Sequence, residues 1–202
     1  MVYVDYYRPK KLEERLPAPT EKATLILVTH SHADHCDPDA ISSVTQRTTV
    51  IAAPADCAEK IGKRMVTAKI GDTIAAKGIS VRVVHAYNVK RFRTPNNPYH
   101  PKGFGVAYLI RLSGKAVYHA GDTDLIPEMS SLGTIDVALL PVGDTYTMDN
   151  AEASEAVKVV RPRFAIPMHA WDKGVDEFRQ KSEEKSETKV IVLREGEEFA
   201  LE

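Results

Sequence analysis

Apolar positions along this chain fall into short runs separated by polar turns, and the character of each run predicts an element. Residues 23–28, Ala-Thr-Leu-Ile-Leu-Val, read as a buried strand, and residues 48–53 predict a second. Residues 79–84 alternate apolar with polar, as a half-buried strand does, after short strands around the turn dipeptides Gly71-Asp72 and Lys77-Gly78. Residues 105–110 and 116–119 predict two strands joined by the turn Ser113-Gly114-Lys115, and residues 137–142 and 164–168 two more. The opening residues predict a short strand that turns at Pro9, followed over 10–22 by a surface loop or frayed helical turn. Asp37-Pro38-Asp39 is a helix start, with the helix running to about residue 46, and Pro54-Ala55-Asp56 opens a shorter one that Gly62 ends. An amphipathic helix is expected from Asp149 to Val160, a further helix over about 175–184, and two short strands within 189–201. Residues 89–102 predict a long irregular loop. Strands alternating with helices indicate a mixed α/β class.

Composition narrows the setting. With 43% hydrophobic residues in 202, the chain can bury one sizeable core, so a single domain spanning 1–202 is expected. A formal charge of −1 gives no overall attraction to nucleic acid or membrane. No leader segment is visible and no apolar run approaches a membrane span in length. Two cysteines, Cys36 and Cys57, are too few for a disulfide framework and fit a reducing compartment, so a cytoplasmic location is expected.

The chemistry concentrates directly after the first buried strand, in Thr29-His30-Ser31-His32-Ala33-Asp34-His35. In an extended segment residues i and i+2 face the same side, which pairs His30 with His32; Asp34 and His35 come once the chain turns and can face a second point. Seven histidines in 202 residues make three within six positions a poor fit to a solvated polar loop. His nitrogens and Asp oxygens suit zinc, and equally iron or manganese. Asp122 and His169 each stand just past another apolar run, where a strand can hold a side chain rigidly; taken singly, Asp122 could equally be a turn residue and His169 a sheet-edge histidine.

The pattern H-x-H-x-D-H at a strand's end resembles the signature of the metallo-β-lactamase-fold hydrolases. Tyr118-His119-Ala120-Gly121-Asp122-Thr123-Asp124, Leu140-Pro141-Val142-Gly143 with Tyr146-Thr147-Met148-Asp149, and Ile166-Pro167-Met168-His169 resemble the branch near ascorbate-6-phosphate lactonase and related metal-dependent hydrolases. The resemblance implies a four-layer αββα sandwich. Val4-Asp5-Tyr6 stands where such proteins have an Ile-Asp-Pro-like strand end, so their earlier hairpin is expected to be absent, and the exposed edge this leaves makes a homo-oligomer one expected outcome.

The resemblance also implies a binuclear centre, with two zinc ions expected and manganese or iron as alternatives. His30 and His32 would serve the first ion, Asp34, His35 and His169 the second, and Asp122 would bridge them. The third ligand of the first ion is open, because Ala86-Tyr87-Asn88 puts an asparagine where relatives carry a histidine. His100, within Tyr99-His100-Pro101-Lys102-Gly103, is preferred over His85, with a single-metal site as the further alternative. His119 is expected to orient a ligand or pack internally, and Cys36 to be a compact buried residue.

The implied reaction is hydrolysis by a metal-bound hydroxide, with Asp34 orienting it and handling the proton, on an ester, lactone or phosphodiester of a small molecule. Phosphorylated or otherwise anionic substrates are candidates, since Arg91, Arg93 and Lys102 lie in the loops expected to shape the cleft, beside Tyr146, Thr147 and Met148. Two rival readings are a metal-dependent nuclease or phosphodiesterase, which the near-neutral charge does not favour, and a metal-binding module without turnover.

Overall fold

A computed structural model describes residues 1–202 apart from Lys63, Lys173 and Lys185. Its first sheet is formed by β1 (Val2–Val4), β2 (Leu25–Leu27), β3 (Val50–Ala53) and β4 (Val66–Thr67), in that order and all parallel. Parallel neighbours need crossovers. These are supplied by α1 (Lys10–Glu13), by α2 (Pro38–Val44), and by a 3-10 turn (Ala55–Cys57) leading into α3 (Ala58–Ile61). As its sequence predicts, α2 is capped by Asp37, whose Oδ1 accepts from the backbone N–H groups of Asp39 and Ala40, both at 3.0 Å. It ends at Val44, two residues before the expected stop, where Thr45 turns to an extended conformation.

The second sheet begins with β5 (Thr73–Ala76) and β6 (Ile79–Ala86). A small separate hairpin, β7 (Phe92–Thr94) and β8 (Asn97–Pro98), then precedes β9 (Gly105–Leu112), β10 (Lys115–His119), β11 (Val137–Pro141), β12 (Phe164–Met168) and β13 (Lys189–Val190). The spatial order is 13-12-11-10-9-6-5. The first four of these strands run parallel, while β9, β6 and β5 continue by antiparallel pairs. Between β10 and β11 lies a 3-10 segment (Pro127–Ser131), and α4 (Asn150–Val160) and α5 (Asp176–Glu184) complete the order.

Two sequence expectations need correction. Residues 89–102 are not wholly irregular, because β7 and β8 pair within them. Residues 189–201 hold one described strand, not two: Lys189 and Val190 find partners on β12, and the residues beyond them have no ladder assigned.

Period-2 alternation sorts the apolar side chains. Leu25 and Leu27 join Val81, Val83, Val106, Tyr108 and Ile110 in a cluster between the two sheets. Ile26 and Val28 point the other way and pack with Ile41, Val44 and Cys57 beside α2 and α3. Cys36 is buried in that same cluster, as a compact hydrophobe would be. On the far side of the second sheet, Ala107, Leu109, Tyr118 and Leu140 pack with Ala153, Val157 and Val160 of α4 and Phe178 of α5. Leu25, Ile26 and Leu27 are fully buried, and each contributes about 1.5–3 kcal/mol through removal of apolar surface from water. This strand is therefore a rigid base for the histidine-rich turn at its C-terminal end. No helix among the described residues is long and apolar enough to cross a membrane.

Candidate metal centre

Strand direction assembles the site. Parallel pairing puts the C-terminal ends of β10, β11 and β12 on one edge of the second sheet, and two successive antiparallel steps return β6 to the same direction. Asp122, Gly143, His169 and Asn88 therefore leave the sheet at that edge. The other sheet delivers Asp5 after β1 and His30 after β2, its strands likewise running in register.

The two parts meet. His30 Nε2 lies 3.0 Å from His32 Nδ1, and His100 Nε2 lies 3.3 Å from the same Nδ1. Asp34 Oδ2 lies 3.5 Å from His35 Nε2 and 3.6 Å from His169 Nε2. Asp122 stands between the trios: its Oδ2 is 3.4 Å from His100 Nε2 and 3.5 Å from His169 Nε2, and its Oδ1 is 3.6 Å from His35 Nε2. Donors about 2.0–2.2 Å from one tetrahedral ion stand about 3.3–3.6 Å apart by geometry, so these spacings suit divalent cations. His30, His32 and His100 form one group of mutually close donors, and Asp34, His35 and His169 another. The same conclusion comes from hydrogen bonding. His35 Nε2, His169 Nε2 and Asp122 Oδ1 are buried without a hydrogen-bond partner, a costly arrangement unless something binds them.

All seven residues expected as ligands are thus brought together. His85 is not; it sits half-buried within the β6–β9 ladder, opposite Val106. Asn88 lies one step further out. Its Oδ1 accepts from both the backbone N–H and the ring Nδ1–H of His100, at 2.8 and 2.9 Å, while its Nδ2 donates to Asp124 Oδ1 and to the Tyr146 carbonyl. Because Nδ1 of His100 carries the proton in that bond, the Nε2 lone pair faces the cluster.

Asp5 does the same for two other rings. Its Oδ2 accepts from His35 Nδ1 at 2.9 Å and from the Thr29 hydroxyl at 2.7 Å, and that hydroxyl is 3.0 Å from His30 Nδ1. With the hydroxyl hydrogen on Asp5, Thr29 accepts from His30, so both rings keep a proton at Nδ1 and turn Nε2 toward the cluster. His169 differs, since its Nδ1 accepts from the indole N–H of Trp171 at 3.1 Å. Gly143 allows this approach: a Cβ there would lie 2.4 Å from the His169 carbonyl oxygen and 3.0 Å from the Trp171 ring. Asp5 and Trp171 were not assigned roles from sequence, although a carboxylate directly after a strand was a usable signal.

The electrostatics are those of a crowded cation-binding shell. Burial, then the charge of His35, lowers the pKa of His30 to about 2, and burial with His32 and His35 lowers that of His100 to about 3. Burial opposes charge on His35 as well, but Asp5 and Asp34 outweigh it and raise it to about 11. Burial also disfavours ionisation of Asp5, and the partnered His35 overcomes this to hold it at about 2. Asp34 obeys the same logic: burial opposes its ionisation, and the adjoining His169 and His35 rings, with Nε2 atoms 3.6 and 3.5 Å from its Oδ2, keep it below the usual carboxylate range. Asp122 goes the other way, raised chiefly by burial. His119 is buried on β10, lowered by that burial, and accepts from the Gly121 N–H at 3.3 Å, so it packs behind the site.

A cleft of about 470 Å³ opens onto the cluster, with His32, Asp34, His100, Asp122 and His169 at its base and Arg93, Tyr99, Tyr146 and Trp171 around it. Of the cations expected to serve it, Arg91 is turned away: Glu152, Asp124, Asp149 and Asp144 surround its guanidinium. Lys102 is likewise engaged, 2.7 Å from Glu128 and stacked on Tyr87.

Residues 1–169, ending on the last of these histidines, match a model of the beta-lactamase superfamily domain. A UPF0173 metal-dependent hydrolase of Pelotomaculum thermopropionicum is 33% identical over 191 residues, covering 89% of this chain and 83% of that protein. One from Thermococcus kodakarensis is 35% identical with the same coverage. Among solved structures, Igni18, a metallo hydrolase of Ignicoccus hospitalis, is 28% identical with a TM-score of 0.73, covering 98% of this chain and 91% of that one. The strand-end histidines and aspartates and these matches agree, and the chain belongs to the metallo-β-lactamase superfamily, among its UPF0173 metal-dependent hydrolases.

Proposed function

We propose that this protein is a binuclear hydrolase of small-molecule esters, lactones or phosphodiesters. His30, His32 and His100 would hold one divalent cation, Asp34, His35 and His169 the second, and Asp122 would be shared; zinc suits the donor set, as do manganese and iron. The observation that carries this reading is the pair of donor trios on either side of one buried carboxylate, three of whose facing atoms lack any hydrogen-bond partner. Bound cations supply Lewis acidity, which lowers the pKa of a water and polarises the oxygen of a scissile bond.

The chain's residues do the rest. Asp34 is ionised at neutral pH, and its side chain is about one-third exposed, facing the cleft. It can therefore orient a water by accepting its proton and return that proton to the leaving group. Asp5 and Asn88 hold three imidazoles in the tautomer that presents Nε2. Deep burial of His30, His100 and Asp122 keeps bulk water away from the base of the cleft and strengthens each interaction there. Among the described residues no serine or cysteine lines the cleft, which fits direct attack by water.

The test combines elemental analysis of metal-loaded protein with a panel of neutral ester, lactone and bis-phosphodiester probes. Two ions per chain and turnover abolished by Asp34→Ala are expected. Fewer than two ions per chain, or undiminished activity in Asp34→Ala, would overturn the assignment. Full loading without turnover on any class would instead support a metal-binding module.

A further inference from the structure

Three basic side chains lie in or beside the cleft loops, and their surroundings separate them. Arg91 and Lys102 are consumed by carboxylates. Arg93 is not: among the described residues none of its guanidinium nitrogens makes a hydrogen bond or ion pair, although the chain carries 28 acidic residues. Its guanidinium instead lies over the Tyr99 ring, 5.2 Å from the centroid. Stacking of this kind uses the face of the guanidinium and leaves its in-plane N–H donors free for a planar or tetrahedral anion.

The wall around Arg93 is aromatic and braced. Tyr99 meets Tyr146 edge to face at 4.8 Å, and the Tyr146 carbonyl is fixed by Asn88 Nδ2 at 3.0 Å. Trp171 lies on the same cleft, 64% exposed, with its indole nitrogen on His169. Exposed Tyr146 and Trp171 beside an unpaired arginine make a poor solvent surface but a good receptor for a charge attached to an apolar body. The β7–β8 hairpin carries Arg93, and His32 and His100 share its cleft.

We propose that Arg93, Tyr99, Tyr146 and Trp171 form an anion subsite that takes a second, non-scissile carboxylate or phosphate of the substrate, carried on a planar or apolar body. This restricts the substrates to small anionic molecules and rests on the hydrolytic reading of the neighbouring centre. Arg93 is here a specificity determinant, since it would hold a part of the substrate that does not react.

The probes are phenyl phosphate, phenylacetate and, as the neutral match, benzyl alcohol. Each is titrated calorimetrically into the metal-loaded protein and again after chelation, with the emission of Trp171, the chain's one tryptophan, locating the event. The expected result is saturable binding of an anion, not of the alcohol, in both preparations. Arg93→Ala should weaken it by about tenfold or more, as loss of charge-assisted hydrogen bonds implies, while Arg93→Lys recovers part. Metal content should be unchanged in Arg93→Ala. Whichever of the two anions binds tighter assigns the group. Equal affinity of wild type and Arg93→Ala, or equal affinity for alcohol and anion, or no saturable binding at all, would overturn the subsite. Arg93-dependent binding in a protein with no turnover would leave the subsite standing and remove the hydrolytic reading.

Discussion

Replacing Asn88 by leucine, a side chain of nearly the same size, removes four hydrogen bonds without opening a cavity. Two donors of His100, its backbone N–H and its Nδ1–H, lose their acceptor at 2.8 and 2.9 Å, and both are buried with the residue. Each unsatisfied buried donor costs about 1–3 kcal/mol, so a loss of about 2–6 kcal/mol in stability is expected. Asp124 loses the Asn88 donor, but its Oδ2 keeps the backbone N–H groups of Val89, Lys90 and Arg91, so the loop is not released wholesale. The more specific effect is on His100, which becomes free to rotate or to move its proton to Nε2. Loss of such an orienting partner weakens metal binding about 10–100-fold, equivalent to about 1.4–2.7 kcal/mol. Competition with a chromophoric chelator should show this loss for one cation only, with the second bound as in wild type, because Asn88 touches none of Asp34, His35 or His169. Asn88→Asp retains the acceptor and should recover most of that affinity despite the carboxylate of Asp124 nearby. Folded Asn88→Leu protein that binds both cations with unchanged affinity would refute the reasoning.

Three further outcomes are expected. Gly143→Ala places a methyl 2.4 Å from the His169 carbonyl oxygen, so His169 must shift; metal analysis should show occupancy lost at the second position, and full occupancy would count against that close contact. In the metal-free protein His30 and His100 titrate at about 2 and 3, below the ordinary 6.5, so their contribution to stability is present above pH 6.5 and is lost as pH falls toward 3. His35, raised to about 11, contributes below pH 6.5 and loses that contribution as pH rises toward 11. Denaturant melts across pH should therefore peak near 6.5, and loading the second cation at pH 7 should release a proton from His35, detectable by calorimetry in buffers of different ionisation enthalpy. Finally, a cation on His169 Nε2 moves that ring's proton to Nδ1, where it displaces the indole N–H. Trp171 emission should respond to metal loading, and an unchanged spectrum would contradict this coupling.

Much of the site was readable because it is local. His30, His32, Asp34 and His35 lie within six residues after a strand whose apolar run marks it as buried, so their convergence needs only strand geometry and one turn. Asp122 and His169 were readable for a related reason: apolar runs identify strands, and parallel strands place their ends on one edge. The two-residue period also determined which apolar residues face each cluster, as Leu25 and Leu27 against Ile26 show.

Tertiary structure decided the rest, wherever a long connection had to close. Only the resemblance of Tyr99-His100-Pro101-Lys102-Gly103 to a family loop favoured His100 over His85 in the sequence; the physical choice is made by the Asn88–His100 backbone and side-chain bonds, which fold residues 89–99 back onto the strand end and leave His85 in its ladder. Two arginines separated by one residue were equivalent as sequence, yet Arg91 meets the carboxylates of α4 and its preceding loop while Arg93 rests on Tyr99. Asp5 acquired its part only when β1 paired with β2, because a carboxylate orients two imidazoles through distances of about 3 Å, set by strand pairing rather than by separation along the chain. Periodicity fixes what a residue's own backbone controls, whereas a hydrogen-bond partner across 20 or more residues depends on where the other segment comes to rest.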